Sequence, residues 1–317
     1  WEAERAGARA ILPRWVGRRA PAGWEVPSGG GARVFLDDAR AAGRVGVLQC
    51  IEALALAVAL HVAVALQRSH QRVAAEGGDG VVEARDELLQ AQQRAAQGID
   101  RVIVATDDDR IREHAESFGA EVAMTSTAAR NGTERCAEAV ANLGLSHEIV
   151  VNLQGDAPLT PAWFVEDLVA GLRGDPGADV ATPVLRCTGA MRSELIADRV
   201  AGRVGGTTAV FGAQMQGLYF SKEVIPYAGR DFAPDEITPV FHHVGVYAYR
   251  PEALAEYPTW DEGRLEALEG LEQLRFLERG RRILCVEVEA RGREFWELNN
   301  PSDVGKLESM MQRMGIA

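Results

Sequence analysis

Lysine is nearly absent from this chain of 317 residues, because only Lys222 and Lys306 occur among its 34 basic residues. With its abundant alanine and glycine, this bias indicates a GC-rich genome rather than a function. Basic residues are also outnumbered by 46 acidic ones, which gives a formal net charge of −12. Phosphate backbones bind to basic protein faces, so the sequence predicts no general nucleic-acid binding.

Cysteine is also scarce, and none of the four cysteines belongs to a Cys-x-x-Cys pair. Their scattered spacing indicates neither a structural zinc site nor a disulfide framework. It fits a protein of the reducing cytoplasm, which is the predicted location. The first residue is Trp1, which suggests a fragment or a processed product.

The chain has one long apolar run, at 45–66, whose length is close to the roughly 20 residues that a membrane helix needs. Gln49, Glu52 and His61 interrupt this run, and an unpaired glutamate inside a membrane is costly. The run also lies far from the N-terminus, which disfavours a signal peptide. We therefore predict no membrane association.

Residues 1–97 and 98–317 differ in charge and in pattern. The first part has 12 arginines and 11 acidic residues, a net of +1, while the second has 22 basic and 35 acidic residues, a net of −13. Helical patterning is plausible at 46–67 and 83–97, but the first part shows little regular alternation of strands and helices. The second part alternates short apolar strands with amphipathic helices, which predicts a parallel, Rossmann-like α/β sheet.

The predicted elements of the second part follow from apolar periodicity and from cap residues. The predicted strands are 101–106, 121–124, 147–153, 179–185, 207–211, 216–220, 243–249 and 282–288. The first predicted helix is capped by the aspartates 107–109 and ends at 118, and the second begins at Asn131 or Thr133 and ends at 143. The other predicted helices are 161–173, 264–279 and one that begins at Pro301. The strand-rich stretch after residue 178 predicts a β-rich lobe.

The strand at 147–153 leads into Gln154-Gly155-Asp156, and Pro158 and Pro161 follow before the next helix. Ligands of open α/β sheets bind outside the carboxyl ends of the strands. An aspartate at this place can hold a hard cation beside a phosphate, and Gly155 permits close backbone approach. The alternative is that Asp156 only caps the following helix.

Seven short motifs occur in one order over about 220 residues. They are Val104-Ala105-Thr106-Asp107, Asn131-Gly132-Thr133-Glu134-Arg135, Asn152-Leu153-Gln154-Gly155-Asp156, Leu218-Tyr219-Phe220-Ser221-Lys222 with Ile225-Pro226, His243-Val244-Gly245-Val246-Tyr247, Leu271-Glu272-Gln273-Leu274-Arg275, and Asn299-Asn300-Pro301-Ser302-Asp303. Through them, residues 98–317 resemble the CMP-Kdo synthetases, the 3-deoxy-manno-octulosonate (Kdo) cytidylyltransferase family.

The resemblance implies an α/β, Rossmann-like nucleotide-diphospho-sugar transferase (GT-A-like) fold, with a β-rich lobe for sugar binding and dimerisation at about 179–260. It implies that CTP and Kdo react, with Mg²⁺, to give CMP-Kdo and pyrophosphate for lipopolysaccharide biosynthesis in a cytoplasmic homodimer. The sugar's anomeric hydroxyl attacks the α-phosphorus, so catalysis is mostly positioning and charge neutralisation.

The resemblance also implies a role for each motif residue. Asp156 and Lys222 are the implied catalytic residues, and Asp156 and Asn299 are the implied metal ligands. The implied nucleotide-binding residues are Thr106, Asp107, Gly132, Thr133, Glu134, Arg135 and Gln154, and the implied sugar-binding residues are His243, Tyr247, Glu272 and Gln273. His242 is not expected to be a ligand, because neighbours on a strand face opposite ways.

Each motif also has a simpler interpretation. Thr133, Glu134 and Arg135 could only cap and solubilise a helix, Lys222 could be a surface lysine, and Glu272 and Gln273 could be ordinary exposed helix residues. Two other functions also remain open. One is a related CMP-acid-sugar synthetase, such as one for sialic acid, and the other is a non-catalytic homologue.

The sequence departs from the family in two places. Asn299 stands where many members have an aspartate, so Mg²⁺ affinity is expected to fall. The family's N-terminal phosphate loop, Arg-x-x-Ser-x-Arg, is not found in residues 1–97; Arg14, Arg18 and Arg19 form the nearest fragment and are not expected to replace it.

We hypothesise that residues 1–85 come from a shifted reading frame or a fusion, and that 86–317 form the cytidylyltransferase domain. The encoding DNA tests this, because a shifted frame should encode the missing loop.

Overall fold

A parallel sheet forms the first half of the folded region. The computed structural model describes residues 98–155, 157, 159–203, 206–293, 309, 310 and 313, together with the backbone of 62–67. Strands β1 (Val62–Gln67), β2 (Arg101–Thr106), β3 (Glu121–Met124) and β4 (Ile149–Gln154) lie in the order β3-β2-β1-β4, all parallel. The order places the carboxyl ends of β2, β1 and β4 side by side at one edge.

Three helices connect or follow these strands: α1 (Asp109–Ser117), α2 (Gly132–Asn142) and α3 (Ala162–Gly174). Asp108 caps α1 by accepting the Arg110 N–H at 2.7 Å, and Asn131 caps α2 by accepting the Glu134 N–H at 3.0 Å. The N-cap residue of α3 is Pro161, which makes no side-chain cap hydrogen bond. The alternative that Asp156 only caps this helix is not tested, because Asp156 lies outside the described residues.

The second half of the sheet is mainly antiparallel and continues from β4 in the order β9-β5-β8-β6-β7. Its strands are β5 (Val180–Thr188), β6 (Thr207–Phe211), β7 (Gly217–Ser221), β8 (Ile237–His243), β9 (Val246–Tyr249) and β10 (Ile283–Glu287), of which β10 pairs parallel to β5. The helices of this half are α4 (Gly189–Val200), α5 (Pro251–Glu256), a 3₁₀ turn (Tyr257–Thr259), α6 (Arg264–Glu269) and α7 (Leu274–Glu278).

Strand β4 separates two apolar clusters, because successive side chains point to opposite faces of a sheet. Val151 and Leu153 pack with the apolar side of α3, including Phe164, and all three are fully buried. Val150 packs on the other face in a cluster that contains the buried ring of Tyr249. Asn152 and Gln154 share the face of Val150, so the polar end of β4 opens toward α2, α6 and α7.

The structure confirms the predicted α/β alternation and corrects four details of the prediction. Val62–Gln67 is a strand and not part of a helix over 46–67; the rest of that predicted helix, and the one at 83–97, lie outside the described residues. This strand lies between β2 and β4, so the sheet does contain an inner strand supplied by the first part of the chain. Helix α4, capped by Thr188, and helix α5 were not predicted.

The other two corrections concern the sugar-binding motifs. The predicted helix 264–279 is two short helices, because α6 ends at Gly270, which adopts the left-handed conformation (φ 61°). Glu272 and Gln273 therefore lie in the connection and not in the middle of a helix. The predicted strand 243–249 is also wrong in its bounds, since β9 begins at Val246, and His243 is the last residue of β8 (Ile237–His243), a strand that was not predicted. In the described part of the chain, no helix has the length and apolar character of a membrane span.

Candidate active site

The carboxyl-end edge of the parallel sheet carries the first set of predicted site residues. Thr106 is the last residue of β2, Asp107 follows it, and Gln154 is the last residue of β4. Thr106 is fully buried, and its hydroxyl accepts the Asp108 N–H at 3.2 Å. The fold therefore places these three residues at one edge, as the sequence predicted.

The N-terminus of α2 is tied to this edge by an ion pair. The Arg135 guanidinium donates to Asp107 Oδ2 at 2.9 Å and to Thr125 Oγ1 at 2.6 Å, and both charged side chains are mostly buried. Asp107 Oδ1 and Arg135 Nε are buried without a hydrogen-bond partner among the described atoms. Buried polar atoms of this kind normally have a partner, so two atoms in the predicted nucleotide site can still bind a ligand or water.

Glu272 joins the N-terminus of α2 to the end of β4. Its Oε2 accepts the backbone N–H of Thr133 at 2.9 Å, and its Oε1 accepts a short hydrogen bond from the Gln154 amide. The Thr133 hydroxyl bonds to the Tyr249 hydroxyl at 2.8 Å. The simpler interpretation of Glu272 as an exposed helix residue is wrong. Its carboxylate connects two segments that the sequence assigned to the nucleotide.

A second cluster contains the other predicted sugar-binding residues. The Tyr247 hydroxyl donates to Gln273 Oε1 at 3.1 Å, and the rings of Tyr247 and His243 lie 5.7 Å apart. Gln273 is 1% exposed, and its Nε2 has no hydrogen-bond partner among the described atoms. An unpaired amide donor beside Tyr247 suits the recognition of a hydroxylated or carboxylated ligand. The fold thus brings His243, Tyr247 and Gln273 together.

His243 bonds to Thr182 behind this cluster. The Thr182 hydroxyl donates to the Val246 carbonyl at 2.9 Å, so the His243 Nε2, at 2.9 Å from the same hydroxyl, is the donor to it. Burial, together with the smaller effect of the neighbouring His242, lowers the pKa of His243 to about 3. His243 is therefore neutral at neutral pH and offers hydrogen bonding rather than charge.

The buried histidines predict a pH-dependent stability. Burial lowers the pKa of His242 to about 4 and that of His243 to about 3, from 6.5. Below pH 6.5 the unfolded chain binds protons that the folded chain does not. The contribution of these two histidines to the free energy of unfolding is therefore fully present above pH 6.5, and it falls as the pH drops toward 4. We expect the free energy of unfolding, measured in urea, to decrease between pH 7 and pH 5, and His243→Gln to weaken that slope. A wild-type protein equally stable across this window would contradict the prediction.

A buried ionic network lies behind the N-terminus of α2. Arg275, 1% exposed, donates to both oxygens of Glu266 at 2.5 and 2.6 Å and to Glu134 Oε1 at 3.0 Å. Its guanidinium also stacks 4.2 Å from the centre of the Tyr257 ring. Burial alone would raise the pKa of Glu134, but hydrogen bonds from Arg130 and Arg275 lower it overall. The network fixes α6 and α7 against α2.

Lys222 follows the last residue of β7 and lies beside α6. Its backbone N–H donates to Glu269 Oε2 at 3.0 Å, and the same carboxylate accepts the Ser221 hydroxyl at 2.7 Å. Lys222 is half-buried, so it is not simply a surface lysine. The pKa of the nearby Tyr219 is raised, mainly by burial and also by the Glu269 charge.

Four residues that shape the site were missed from the sequence: Tyr249, Glu266, Glu269 and Arg275 as an ion-pair partner. Arg275 was visible as the end of the Leu271–Arg275 motif, but its partners are distant in sequence. Glu266 and Glu269 fall within the predicted helix 264–279, and no motif assigned them a role.

Two predicted ligands, Asp156 and Asn299, lie outside the described residues. Among the residues that the structure describes, no group of three or more histidine, cysteine, aspartate and glutamate side chains could hold a metal ion. The metal assignment therefore stays a prediction from the sequence.

Comparisons with known proteins identify the family. A family model described as "Cytidylyltransferase" matches residues 88–283. A 3-deoxy-manno-octulosonate cytidylyltransferase of Maricaulis maris is 40% identical over 221 residues, covering 70% of this chain and 84% of the relative. An 8-amino-3,8-dideoxy-manno-octulosonate cytidylyltransferase of Shewanella frigidimarina is 38% identical over 215 residues, covering 67% and 82%.

Solved structures show the same fold. A CMP:2-keto-3-deoxy-manno-octonic acid synthetase complexed with CTP matches with a TM-score of 0.65 and 27% identity, over 80% of this chain and 99% of that one. An inositol-1-phosphate CTP transferase of T. maritima matches with a TM-score of 0.51 and 13% identity, over 81% and 96%, which supports the fold alone. From its motifs, its fold and these relatives, the chain belongs to the 3-deoxy-manno-octulosonate cytidylyltransferase (CMP-Kdo synthetase) family.

Proposed function

We propose that this chain transfers the cytidylyl group of CTP to Kdo, giving CMP-Kdo and pyrophosphate for lipopolysaccharide biosynthesis. The observation that carries the proposal is the segment 269–275. Its side chains contact both the predicted nucleotide-binding residues and the predicted sugar-binding residues. Glu272 bonds to Gln154 and Thr133, Gln273 bonds to Tyr247, and Glu269 bonds to Lys222. A single rigid segment can thus align two substrates.

In this reaction the anomeric hydroxyl of the sugar attacks the α-phosphorus of CTP, and pyrophosphate leaves. Little covalent chemistry falls to the protein, so its part is to hold the two reactants in line and to exclude water. Thr106, Asp107 and Arg135 offer polar atoms to the nucleotide, and of these Asp107 Oδ1 and Arg135 Nε have no hydrogen-bond partner among the described atoms. Gln273, Tyr247 and neutral His243 offer hydrogen bonds to the sugar, and Lys222 offers the positive charge for its carboxylate.

The proposed cofactor is Mg²⁺, held by Asp156 and Asn299. A carboxylate and an amide oxygen are suitable ligands for this hard cation, and Asp156 comes two residues after the last residue of β4 in the sequence. When bound, the ion would neutralise charge on the triphosphate. Asp107 Oδ1 is buried without a hydrogen-bond partner among the described atoms, and this supports an acceptor for a cation or a donor at this edge of the sheet.

The proposed assembly is a homodimer in the cytoplasm. Leu218 on the edge strand β7 is 62% exposed, and Ile237 at the start of β8 is 57% exposed, which supports an interface on the β-rich lobe. Cys136, Cys187 and Cys285 are buried free thiols, which fits a reducing compartment. Sedimentation of the purified chain tests the dimer.

The test of the function is pyrophosphate release from CTP and Mg²⁺ with three acidic sugars: Kdo, its 8-amino-8-deoxy analogue and sialic acid. We expect turnover with Kdo. Preference for the 8-amino sugar would change the proposed substrate to the one named for the Shewanella frigidimarina relative. That substrate is an alternative to Kdo because the relative is 38% identical to this chain. Turnover with sialic acid alone would refute the Kdo assignment, and no turnover with any of them would indicate a non-catalytic homologue.

A further inference from the structure

Glu269 occupies an unusual position between β7 and the Leu271–Arg275 motif. Its carboxylate accepts three hydrogen bonds from the end of β7: the Tyr219 hydroxyl at 3.2 Å, the Ser221 hydroxyl at 2.7 Å and the Lys222 N–H at 3.0 Å. Ser221 is 3% exposed. Three donors on one carboxylate fix both its own rotamer and the backbone path that leads into Lys222.

The residue after Glu269 provides a second, independent observation. Gly270 has φ 61°, and a Cβ added to it would lie 2.9 Å from Lys222 Nζ. The end of the Lys222 side chain therefore lies against the glycine, in space that a Cβ atom would crowd. Gly270 ends α6 and, at the same time, leaves room for the ammonium group.

Glu269 and Gly270 are close in sequence to Glu272 and Gln273, which belong to the candidate site. Glu269 and Glu272 are three residues apart, so their Cα atoms are separated by at most about 11 Å. Glu272 contacts Gln154 and Thr133, and the next residue, Gln273, contacts Tyr247. A shift at Glu269 would therefore move Lys222 relative to the groups that meet both substrates.

We infer that Glu269, with Gly270, is a positioning residue that sets the place of the Lys222 ammonium for the carboxylate of the acidic sugar. The inference rests on the proposed function, because it assumes that an acidic sugar is the second substrate. In this role Glu269 does not need to contact either substrate. It acts through the hydrogen bonds that hold the end of β7.

Kinetics of Glu269→Gln and Glu269→Ala test the inference, with Glu262→Gln as the matched control, since Glu262 is an exposed glutamate in the same stretch. Losing hydrogen bonds to a charged group should raise the KM for the sugar roughly tenfold to hundredfold in Glu269→Ala and less in Glu269→Gln. The KM for CTP should change by less than about twofold in both. An equal rise in both KM values would indicate general damage and overturn the inference.

A second measurement does not depend on turnover. Lys222 and Lys306 are the only lysines of the chain, so acylation of each can be followed by mass spectrometry with the other as an internal reference. Glu269→Ala should change the rate of Lys222 acylation several-fold relative to Lys306, and Glu262→Gln should not. An unchanged ratio refutes the inference even in an inactive protein, whereas absence of turnover in the wild type with a changed ratio refutes only the proposed function.

Discussion

Replacing Arg275 by methionine is expected to lower the free energy of unfolding by about 3–5 kcal/mol, the usual loss when one partner of a buried ion pair is removed. The variant leaves the carboxylate of Glu266 buried beside the Tyr257 ring without its bidentate partner. Glu134 keeps one cation, because Arg130 also bonds to it. The loss should therefore come mainly from Glu266.

Urea unfolding at pH 7 measures this loss, and two variants control for it. Arg279→Met replaces an exposed arginine one turn further along and should cost less than about 0.5 kcal/mol. The double variant Arg275→Met, Glu266→Gln also removes the buried, unpaired charge of the Glu266 carboxylate, so it should be more stable than Arg275→Met alone. If Arg275→Met is as stable as Arg279→Met, the network does not hold α6 and α7 in place.

Replacing Asp156 by alanine is expected to reduce the turnover of CTP and Kdo by about 10³-fold. A metal ion contributes several kcal/mol of charge stabilisation in the transition state, and each 1.4 kcal/mol is a factor of ten. Asp231→Ala is the control, since Asp231 is an exposed aspartate of the β-rich lobe and should leave the rate unchanged. A rate for Asp156→Ala within a few-fold of wild type would remove Asp156 from the catalytic assignment.

Ligand binding provides a readout of Asp156 besides activity. Mg²⁺ and CTP together should raise the melting temperature of the wild type, because a ligand at 100 times its Kd stabilises by about 2.7 kcal/mol. The extra stabilisation due to Mg²⁺ should disappear in Asp156→Ala. Asn299→Asp should have the opposite effect and lower the Mg²⁺ concentration needed, since a carboxylate binds the ion more tightly than an amide. No change in Asn299→Asp would exclude Asn299 as a ligand.

Much of the fold was predictable because its signals are local. The caps Asp108 and Asn131, the apolar strand before Gln154 and the glycines after the helices all act within a few residues of their own position. The strand β1 was not predictable in the same way. An alanine- and valine-rich run has no clear period, and only pairing with β2 and β4 determines that it is extended.

The candidate site was predictable as a set of residue types in a fixed order, but not as a set of contacts. Glu272 looked like an exposed helix residue, and the fold makes it the link between Thr133 and Gln154, which lie more than 100 residues away. Glu269 carried no signal in the sequence. Its role depends on a strand about 50 residues earlier in the chain.

By itself, the sequence determined the α/β alternation, the family and the motifs from which the site was predicted, because composition, periodicity and motif order are properties of the linear chain. Only the tertiary structure decided that Arg275 is a buried centre of charge, that His243 is neutral, and that the segment 269–275 joins the two halves of the site. These properties depend on burial and on which distant groups meet, and both arise only when the sheet and helices pack.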